Sequence, residues 1–174
     1  KDLKYSVLTP YFENNSLEKE FQFPLKYRKN NYRKTFDWLV KNCQNLITSD
    51  LDYEIPMRKM GFTTTFIPNP INTEKIHSQS FENTSKIVIF LGINRLSYIK
   101  KGILYFEKAL RIIKEKYADK VEIIVTENIP YSEYINMYDK AHILLDQVYA
   151  FDQGYNALEA MAKGKVVFSG ASEE

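Results

Sequence analysis

Short apolar runs and helical patterns alternate along the second half of the chain. Predicted strands occupy 86–92, 121–127, 142–147 and 166–170, each built on a continuous apolar run. Between the first two, apolar residues recur at helical spacing and form one face, with Ile103, Phe106, Leu110, Ile113 and Tyr117. Further helices are expected from Pro130 and from Gly154. Apolar strands separated by helices are typical of a parallel sheet covered on both faces, so the pattern predicts a doubly wound α/β domain.

The first half of the chain is less regular. Residues 6–12 and 45–50 look like strands, with a helix that contains Trp38 between them. A short helix is expected after Asp50, because aspartate is a favoured N-cap. A further strand is expected at 63–67. These elements predict a second α/β unit that is incomplete in this chain.

Two prolines mark a connection between the halves. Pro68 and Pro70 lie in IPNPIN, and proline is excluded from helix interiors and central strands. The polar residues that follow extend the connection to residue 85. We therefore expect three parts, at 1–66, 67–85 and 86–174. Doubly wound sheets commonly have more than four strands, so we expect the sheet to continue beyond the last residue given.

Composition narrows the classes of function. The 174 residues are 44% hydrophobic, which is enough to bury a core. The 24 basic and 22 acidic residues leave a net charge of +2, so a nucleic-acid partner is not expected. Lone Cys43 cannot form an internal disulfide and is expected to be a buried thiol. No apolar run reaches the roughly 20 residues of a membrane span. These features predict a reduced, cytoplasmic protein.

A basic run near the start leaves a choice of partners open. The run KYRKNNYRK at 26–34 holds five cations and two tyrosines. A solvated helix face is the simpler interpretation, and peripheral contact with anionic lipid or an acidic acceptor is the alternative. The alternative would place the protein at the inner face of a membrane.

The first strand of the α/β half leads into a basic turn. FLGINRLSYIKKG, at 90–102, places Arg95 and Lys101 after the strand. Ligands of open parallel sheets bind outside the carboxyl ends of the strands. Guanidinium and ammonium groups both suit phosphate. Cations are mildly unfavourable at a helix start unless an anion is also present. We therefore expect Arg95 and Lys101 to bind a diphosphate.

A glycine precedes the last predicted helix, in the sequence DQGYNALE. Gly154 allows close approach to the backbone, and the amides of Tyr155 and Asn156 are first-turn donors. Together with the two cations, these groups form a predicted pyrophosphate pocket. Glu159, one turn into the helix, is expected to accept hydrogen bonds from sugar hydroxyls. The alternative is a solvent-exposed pair between Glu159 and Lys163.

Three spaced motifs resemble one enzyme family. They are G-x-N-R at 92–95, R-x5-K-G at 95–102 and G-x4-E-A-M-A-x-G-K at 154–165. This combination resembles the donor half of family 4 glycosyltransferases, which have the GT-B fold. The resemblance covers about residues 67 to 174. It implies that 86–174 form a Rossmann-like donor lobe and that 1–66 form the end of the acceptor lobe.

The resemblance also implies a role for each candidate residue. Arg95, Lys101 and the helix start at 154–156 would bind the donor diphosphate. Glu159 would bind the ribose, and the loop at 126–130 would lie beside the base. The implied ligand is a nucleotide sugar, with no metal and no other cofactor.

One position departs from the family pattern. The family usually has a glutamate that contacts the donor sugar eight positions before the second glutamate, and here that position is Phe151. Asp152 is the candidate to replace it. The implied activity is transfer of a sugar, with retention of configuration, to a glycan or lipid-linked acceptor, as in polysaccharide biosynthesis. Because 1–66 would be only part of the acceptor lobe, the chain alone is expected to bind donor without transferring sugar.

Other functions remain open from the sequence. A GT-B sugar-nucleotide epimerase would use the same diphosphate site, with Asp152 as its carboxylate. A non-catalytic, flavodoxin-like signalling domain would need acids after its first strand, where this chain has INR. Asp50 and Asp52 match a D-x-D metal signature, but we expect an N-cap and a first-turn acid instead. The first strand leads into no G-x-G-x-x-G, so an NAD site is not expected.

Overall fold

In a computed structural model the chain forms two compact units, Lys1–Pro68 and Asn69–Glu174. The structure describes residues 30–78, 85–149 and 153–170. The strand predicted at 6–12, and both Phe151 and Asp152, lie outside these ranges. Within them, no helix combines the length and apolar character needed to cross a membrane.

From residue 30 onward, where the structure describes it, the first unit contains two helices and two short strands. In chain order they are α1 (Asn30–Asn42), β1 (Ile47–Thr48), α2 (Leu51–Lys59) and β2 (Thr65–Phe66). The two strands pair in parallel, with Ile47 opposite Thr65. Trp38 lies in α1 as expected, and the helix after Asp50 and the strand within 63–67 are confirmed.

A buried carboxylate ties α2 to both strands. Glu54 is 3% exposed and accepts hydrogen bonds from the hydroxyls of Thr48 and Thr64 and from Arg58 Nε, the last at 2.6 Å. The hydrogen bond from Thr48 is the largest of the effects that hold the pKa of Glu54 below its ordinary value. Since Thr48 belongs to β1 and Thr64 precedes β2, Glu54 joins three elements of the first unit.

Two expectations for the first unit have different outcomes. Asp50 is the N-cap of α2 and accepts a hydrogen bond from the Tyr53 amide at 3.2 Å, with Asp52 in the first turn, which confirms the capping role. The described ranges hold no group of three or more His, Cys, Asp or Glu side chains that could hold a metal ion.

Cys43 is exposed, so the expectation of a buried thiol is wrong. Cys43 directly follows α1, a helix with no buried residue, and therefore enters no core.

Residues 67–78 contain a turn and no helix or strand. The side chain of Asn72 accepts hydrogen bonds from the backbone amides of Glu74 and Lys75, each at 3.1 Å. An asparagine that bonds to the backbone just after it is typical of a turn. The two units divide between Pro68 and Asn69, at the proline-containing stretch.

The second unit is an α/β structure with four parallel strands flanked by helices. Its elements are β3 (Ile87–Ile93), α3 (Ile103–Tyr117), β4 (Val121–Glu127), α4 (Tyr131–Lys140), β5 (Ile143–Leu145), α5 (Tyr155–Ala162) and β6 (Val166–Phe168). A 3₁₀ turn at Arg95–Ser97 follows β3. The strand order is β4-β3-β5-β6, and every pair is parallel. The predicted parallel α/β sheet is confirmed.

Two hydrophobic cores lie on opposite faces of this sheet. One lies between the sheet and α3 and contains Ile89, Leu91, Ile93, Ile103, Leu110 and Leu145. The other lies against α4 and α5 and contains Phe90, Tyr138, Ala141, Leu144 and Ala160. Successive residues of β3 thus enter alternate cores, because side chains alternate across a strand. Both faces being covered explains why β3 is apolar throughout.

The strand order reverses beside β3. This strand pairs with β4 on one side, with Ile87 opposite Val121, and with β5 on the other, with Ile89 opposite Ile143. Both common doubly wound orders reverse beside their first strand, and ligands bind in the crevice formed there by the carboxyl ends. The ends of β3 and β5 are therefore where a site is expected.

Candidate functional site

The loops after β3 and β5 meet at this reversal, and we call the region formed by residues 94–102 and 146–149 the reversal crevice. The Val148 amide donates to the Lys101 carbonyl at 2.9 Å, which joins the two loops. Gly102 has a φ of +66°, and a Cβ added there would stand 2.8 Å from Cβ of Val148. Both its conformation and its close contact therefore require glycine.

Lys101 lies in the reversal crevice and is held by an acid. Its Nζ is 2.8 Å from Oδ1 of Asp146, and the two side chains are 29% and 3% exposed. Asp146 directly follows β5, so the ion pair joins the ends of neighbouring strands. A buried carboxylate needs a partner of this kind, since an unpaired charge is costly to bury. The sequence placed Lys101 at this edge but gave no indication of its partner.

Arg95 is held on the other side of β3. Its Nε and one terminal nitrogen donate to the two carboxylate oxygens of Glu127, at 2.6 and 2.5 Å, and its guanidinium lies 4.9 Å from the centroid of the Tyr98 ring. The hydrogen bond raises the pKa of Arg95 and lowers the pKa of Glu127. Glu127 ends β4, whereas Asp146 follows β5. The two cations thus pair with acids at different strand ends, and their convergence on one anion stays a prediction.

The start of α5 lacks a side-chain cap. Gly154 is the N-cap and provides no side-chain hydrogen bond. Its carbonyl accepts from the amides of Ala157 and Leu158, at 2.9 and 3.1 Å. A Cβ added at Gly154 would meet nothing within 4 Å among the described atoms, and Tyr155 is exposed. The first-turn amides of Tyr155 and Asn156 thus have no side-chain cap from Gly154, and backbone donors at a helix start are the groups that bind anions.

A pocket lined by tyrosines lies beside the first turn of α5. It has a volume of about 210 Å³, and its lining includes Tyr131, Tyr134, Ile135, Tyr138, Tyr155, Asn156 and Glu159. Glu159 therefore faces a cavity, as a sugar-binding carboxylate would. The tyrosines of α4 were not among the site residues predicted from the sequence. Their spacing at 131, 134 and 138 is the signal that could have found them, because residues three and four apart share a helix face.

Two of these tyrosines are fixed by hydrogen bonds. The Tyr134 hydroxyl donates to Oδ1 of Asn156 at 2.7 Å, and the Tyr138 hydroxyl donates to the Asn156 carbonyl at 2.8 Å. Burial raises the pKa of Tyr134 to about 12 and also raises the pKa of Tyr138 well above its ordinary value. Both phenols are therefore protonated donors at neutral pH. The pocket lining thus combines the polar side chains of Asn156 and Glu159 with tyrosine rings and Ile135.

A larger cavity lies away from the reversal crevice. It has a volume of about 670 Å³, and its lining includes Val121, Ile123 and Val125 of β4 and Leu110 of α3. None of the site residues predicted from the sequence is among its lining residues. Size alone therefore does not identify the functional site of this unit.

Comparisons with protein-family models, with curated proteins and with solved structures found no match to this chain. The candidate site therefore rests on geometry within the chain. The residues near the reversal are Lys101, Asp146 and the start of α5, and the tyrosine-lined pocket continues from that start to Glu159. Asp152 lies outside the described residues, so its predicted contact with a donor sugar stays a prediction.

Proposed function

We propose that this chain contains the donor-binding lobe of a nucleotide-sugar glycosyltransferase of the GT-B type. The activity would be transfer of a sugar from a nucleoside-diphosphate sugar to a glycan or lipid-linked acceptor. Metal independence and retention of configuration are included because the motif resemblance implies them. Residues 86–174 would be the donor lobe, and 1–66 would belong to the acceptor lobe.

The observation that most supports this proposal is the presence of three features after β3 and β5, which are parallel neighbours and end at the same edge of the sheet. Lys101 is paired with Asp146 after β5, α5 begins with backbone donors that have no side-chain cap, and Glu159 lines a pocket one turn further along the helix. A diphosphate beside the first two features would leave an attached nucleoside next to the third. The order of groups along the site thus matches the order of groups in a nucleoside diphosphate.

The chemistry of such a site would be stabilisation of a leaving group. When the bond from sugar to phosphate breaks, negative charge increases on the departing diphosphate. Preorganised donors lower the barrier when they point at the atoms where charge develops. The Lys101 ammonium and the first-turn amides of Tyr155 and Asn156 would supply such donors. Arg95 would join them only by exchanging its bond to Glu127 for one to phosphate.

Calorimetry with a panel of nucleoside diphosphates tests the proposal. The full chain is titrated with UDP, GDP, ADP and CDP, with and without a chelator, and with inorganic pyrophosphate as the ligand that lacks a nucleoside. Glu159→Ala should weaken binding of the preferred nucleoside diphosphate by about tenfold or more, which corresponds to the loss of one hydrogen bond to a charged group. Pyrophosphate affinity should change much less, since Glu159 would contact only the ribose.

Glu115→Ala is the matched control, because Glu115 is an exposed carboxylate near the far end of α3. It should bind both ligands as the wild type does. Equal losses of nucleoside diphosphate and pyrophosphate affinity in Glu159→Ala would contradict the ribose role. Failure of the wild-type chain to bind any member of the panel would contradict the proposed function itself.

A further inference from the structure

Two tyrosines of α4 hold the first turn of α5 by hydrogen bonds. The helix begins after Gly154, which has no side chain to bond to the first turn. Asn156, in that turn, instead accepts two hydrogen bonds from phenols, at its side chain from Tyr134 and at its backbone carbonyl from Tyr138. The first turn is thus attached to a neighbouring helix rather than capped from within.

The Tyr134 ring lies against the end of β3. A Cβ added at Gly92 would stand 2.8 Å from Tyr134 Cε2 and 3.3 Å from the Tyr134 hydroxyl oxygen, so a larger residue would collide with the ring. The ring also packs edge-on against Phe90, with centroids 5.2 Å apart, and stacks on Tyr138 at 5.7 Å. Contacts with β3 and within α4 therefore fix the position of the ring, and the hydrogen bond from its hydroxyl holds Asn156 in place.

We propose that Tyr134 is a positioning residue that fixes the first turn of α5 relative to the carboxyl end of β3. It thereby sets where the amides of Tyr155 and Asn156 point. Because the Tyr134 hydroxyl donates to Asn156, Tyr134 acts on the start of α5 through that residue. The consequence for phosphate binding rests on the proposed function, whereas the positioning of the helix start does not.

Hydrogen exchange and calorimetry on the full chain test the two parts separately. Tyr134→Phe removes the hydroxyl and keeps the ring beneath Gly92, and Tyr117→Phe, a half-exposed tyrosine at the end of α3, is the matched control. In Tyr134→Phe, the amides of Ala157 and Leu158 should exchange about fivefold faster, as expected for loss of one hydrogen bond. Affinity for inorganic pyrophosphate should fall by about the same factor.

A second variant tests the same hydrogen bond by removing its acceptor instead of its donor. Asn156→Ala removes the acceptor while Tyr134 stays intact, and it should give the same acceleration of exchange. The double variant should show no further acceleration, because both changes remove one interaction. Additive acceleration would mean that Tyr134 acts elsewhere and would overturn the proposal.

The remaining outcomes separate this inference from the proposed function. Unchanged exchange of Ala157 and Leu158 in Tyr134→Phe overturns the positioning role, whatever the chain binds. Faster exchange in a protein whose wild type binds no pyrophosphate supports the positioning role and refutes the anion site. Faster exchange together with weaker pyrophosphate binding supports both.

Discussion

Removal of the Lys165 amino group should change how stability depends on pH. Lys165 is 4% exposed, and its Nζ donates to the backbone carbonyls of Asp139 at 2.9 Å and Ala141 at 2.7 Å, at the end of α4. Burial lowers the pKa of Lys165 from its ordinary 10.5 to about 8, while the nearby charge of Asp139 acts in the opposite direction. The lysine thus connects the residue before β6 to the helix that carries the pocket tyrosines.

The direction of the effect follows from proton counting. Between about pH 8 and pH 10.5, the folded chain has released the Lys165 proton and the unfolded chain retains it. Stability rises with pH wherever the unfolded state binds more protons. Each tenfold change in proton affinity corresponds to about 1.4 kcal/mol, so this change in pKa corresponds to about 3 kcal/mol. The neutral amine still donates to both carbonyls, so these contacts persist above pH 8.

Urea unfolding of wild type and Lys165→Met, followed by far-ultraviolet circular dichroism, measures this contribution. Other lysines and 13 tyrosines titrate in the same range, so only the difference between the two proteins is informative. The free energy of unfolding of wild type minus that of the variant should rise by about 2–3 kcal/mol between pH 8 and pH 10.5. Lys86→Met is the matched control, because Lys86 is exposed yet also donates to a carbonyl after a helix, that of Ala118 at 3.1 Å. A flat difference for Lys165→Met, or an equal rise for Lys86→Met, would refute burial as the cause.

Three further substitutions test other contacts by urea unfolding. Gly92→Ala should lower the free energy of unfolding by about 1–3 kcal/mol, because the new methyl group collides with the Tyr134 ring; an unchanged value would show that the ring has room to move. Lys101→Met should cost about 1.5–3 kcal/mol, because Asp146 keeps a buried charge without its partner. Adding Asp146→Asn should recover part of this loss, and a larger loss in the double variant would contradict the explanation. Glu54→Gln should lower the urea midpoint near neutral pH. The midpoints of wild type and variant should converge as pH falls below 4.5, because a lowered carboxyl pKa stabilises the folded state only at pH values where the carboxyl is ionised. A difference between the two midpoints that persists in acid would contradict this explanation.

The fold of the second unit could be predicted because β3, β5 and β6 contain no polar side chain and β4 contains an apolar run. A strand whose side chains enter two cores, such as 87–93, contains almost no polar residues and is therefore not mistaken for a loop. The strand order was not predicted, since it depends on which strands pair across long stretches of chain. The exposure of Cys43 was missed for a related reason, because the face that a helix end buries depends on neighbours distant in sequence.

The candidate site was predicted in its position more than in its contacts. Parallel strands place their carboxyl ends at one edge, so Lys101 and Glu159 could be assigned to that edge from order alone. The acids that hold the two cations could not be assigned, because a flexible side chain of this length can reach several strand ends. The contact between Gly92 and Tyr134 was also missed, since it joins a strand to a helix that lies beyond the next strand.

The two ion pairs at the carboxyl edge have a consequence for discrimination among cellular anions. Arg95 and Lys101 each have a carboxylate partner, Glu127 and Asp146, so the local field of each pair is largely neutral. Free phosphate or sulfate beside either cation would also meet the negative charge of the paired carboxylate, so its net electrostatic gain would be small. A ligand that also fills the tyrosine-lined pocket gains contact that small anions cannot make. Charge therefore steers an approaching ligand to this edge only weakly, and the association rate constant of the ligand should vary little with ionic strength.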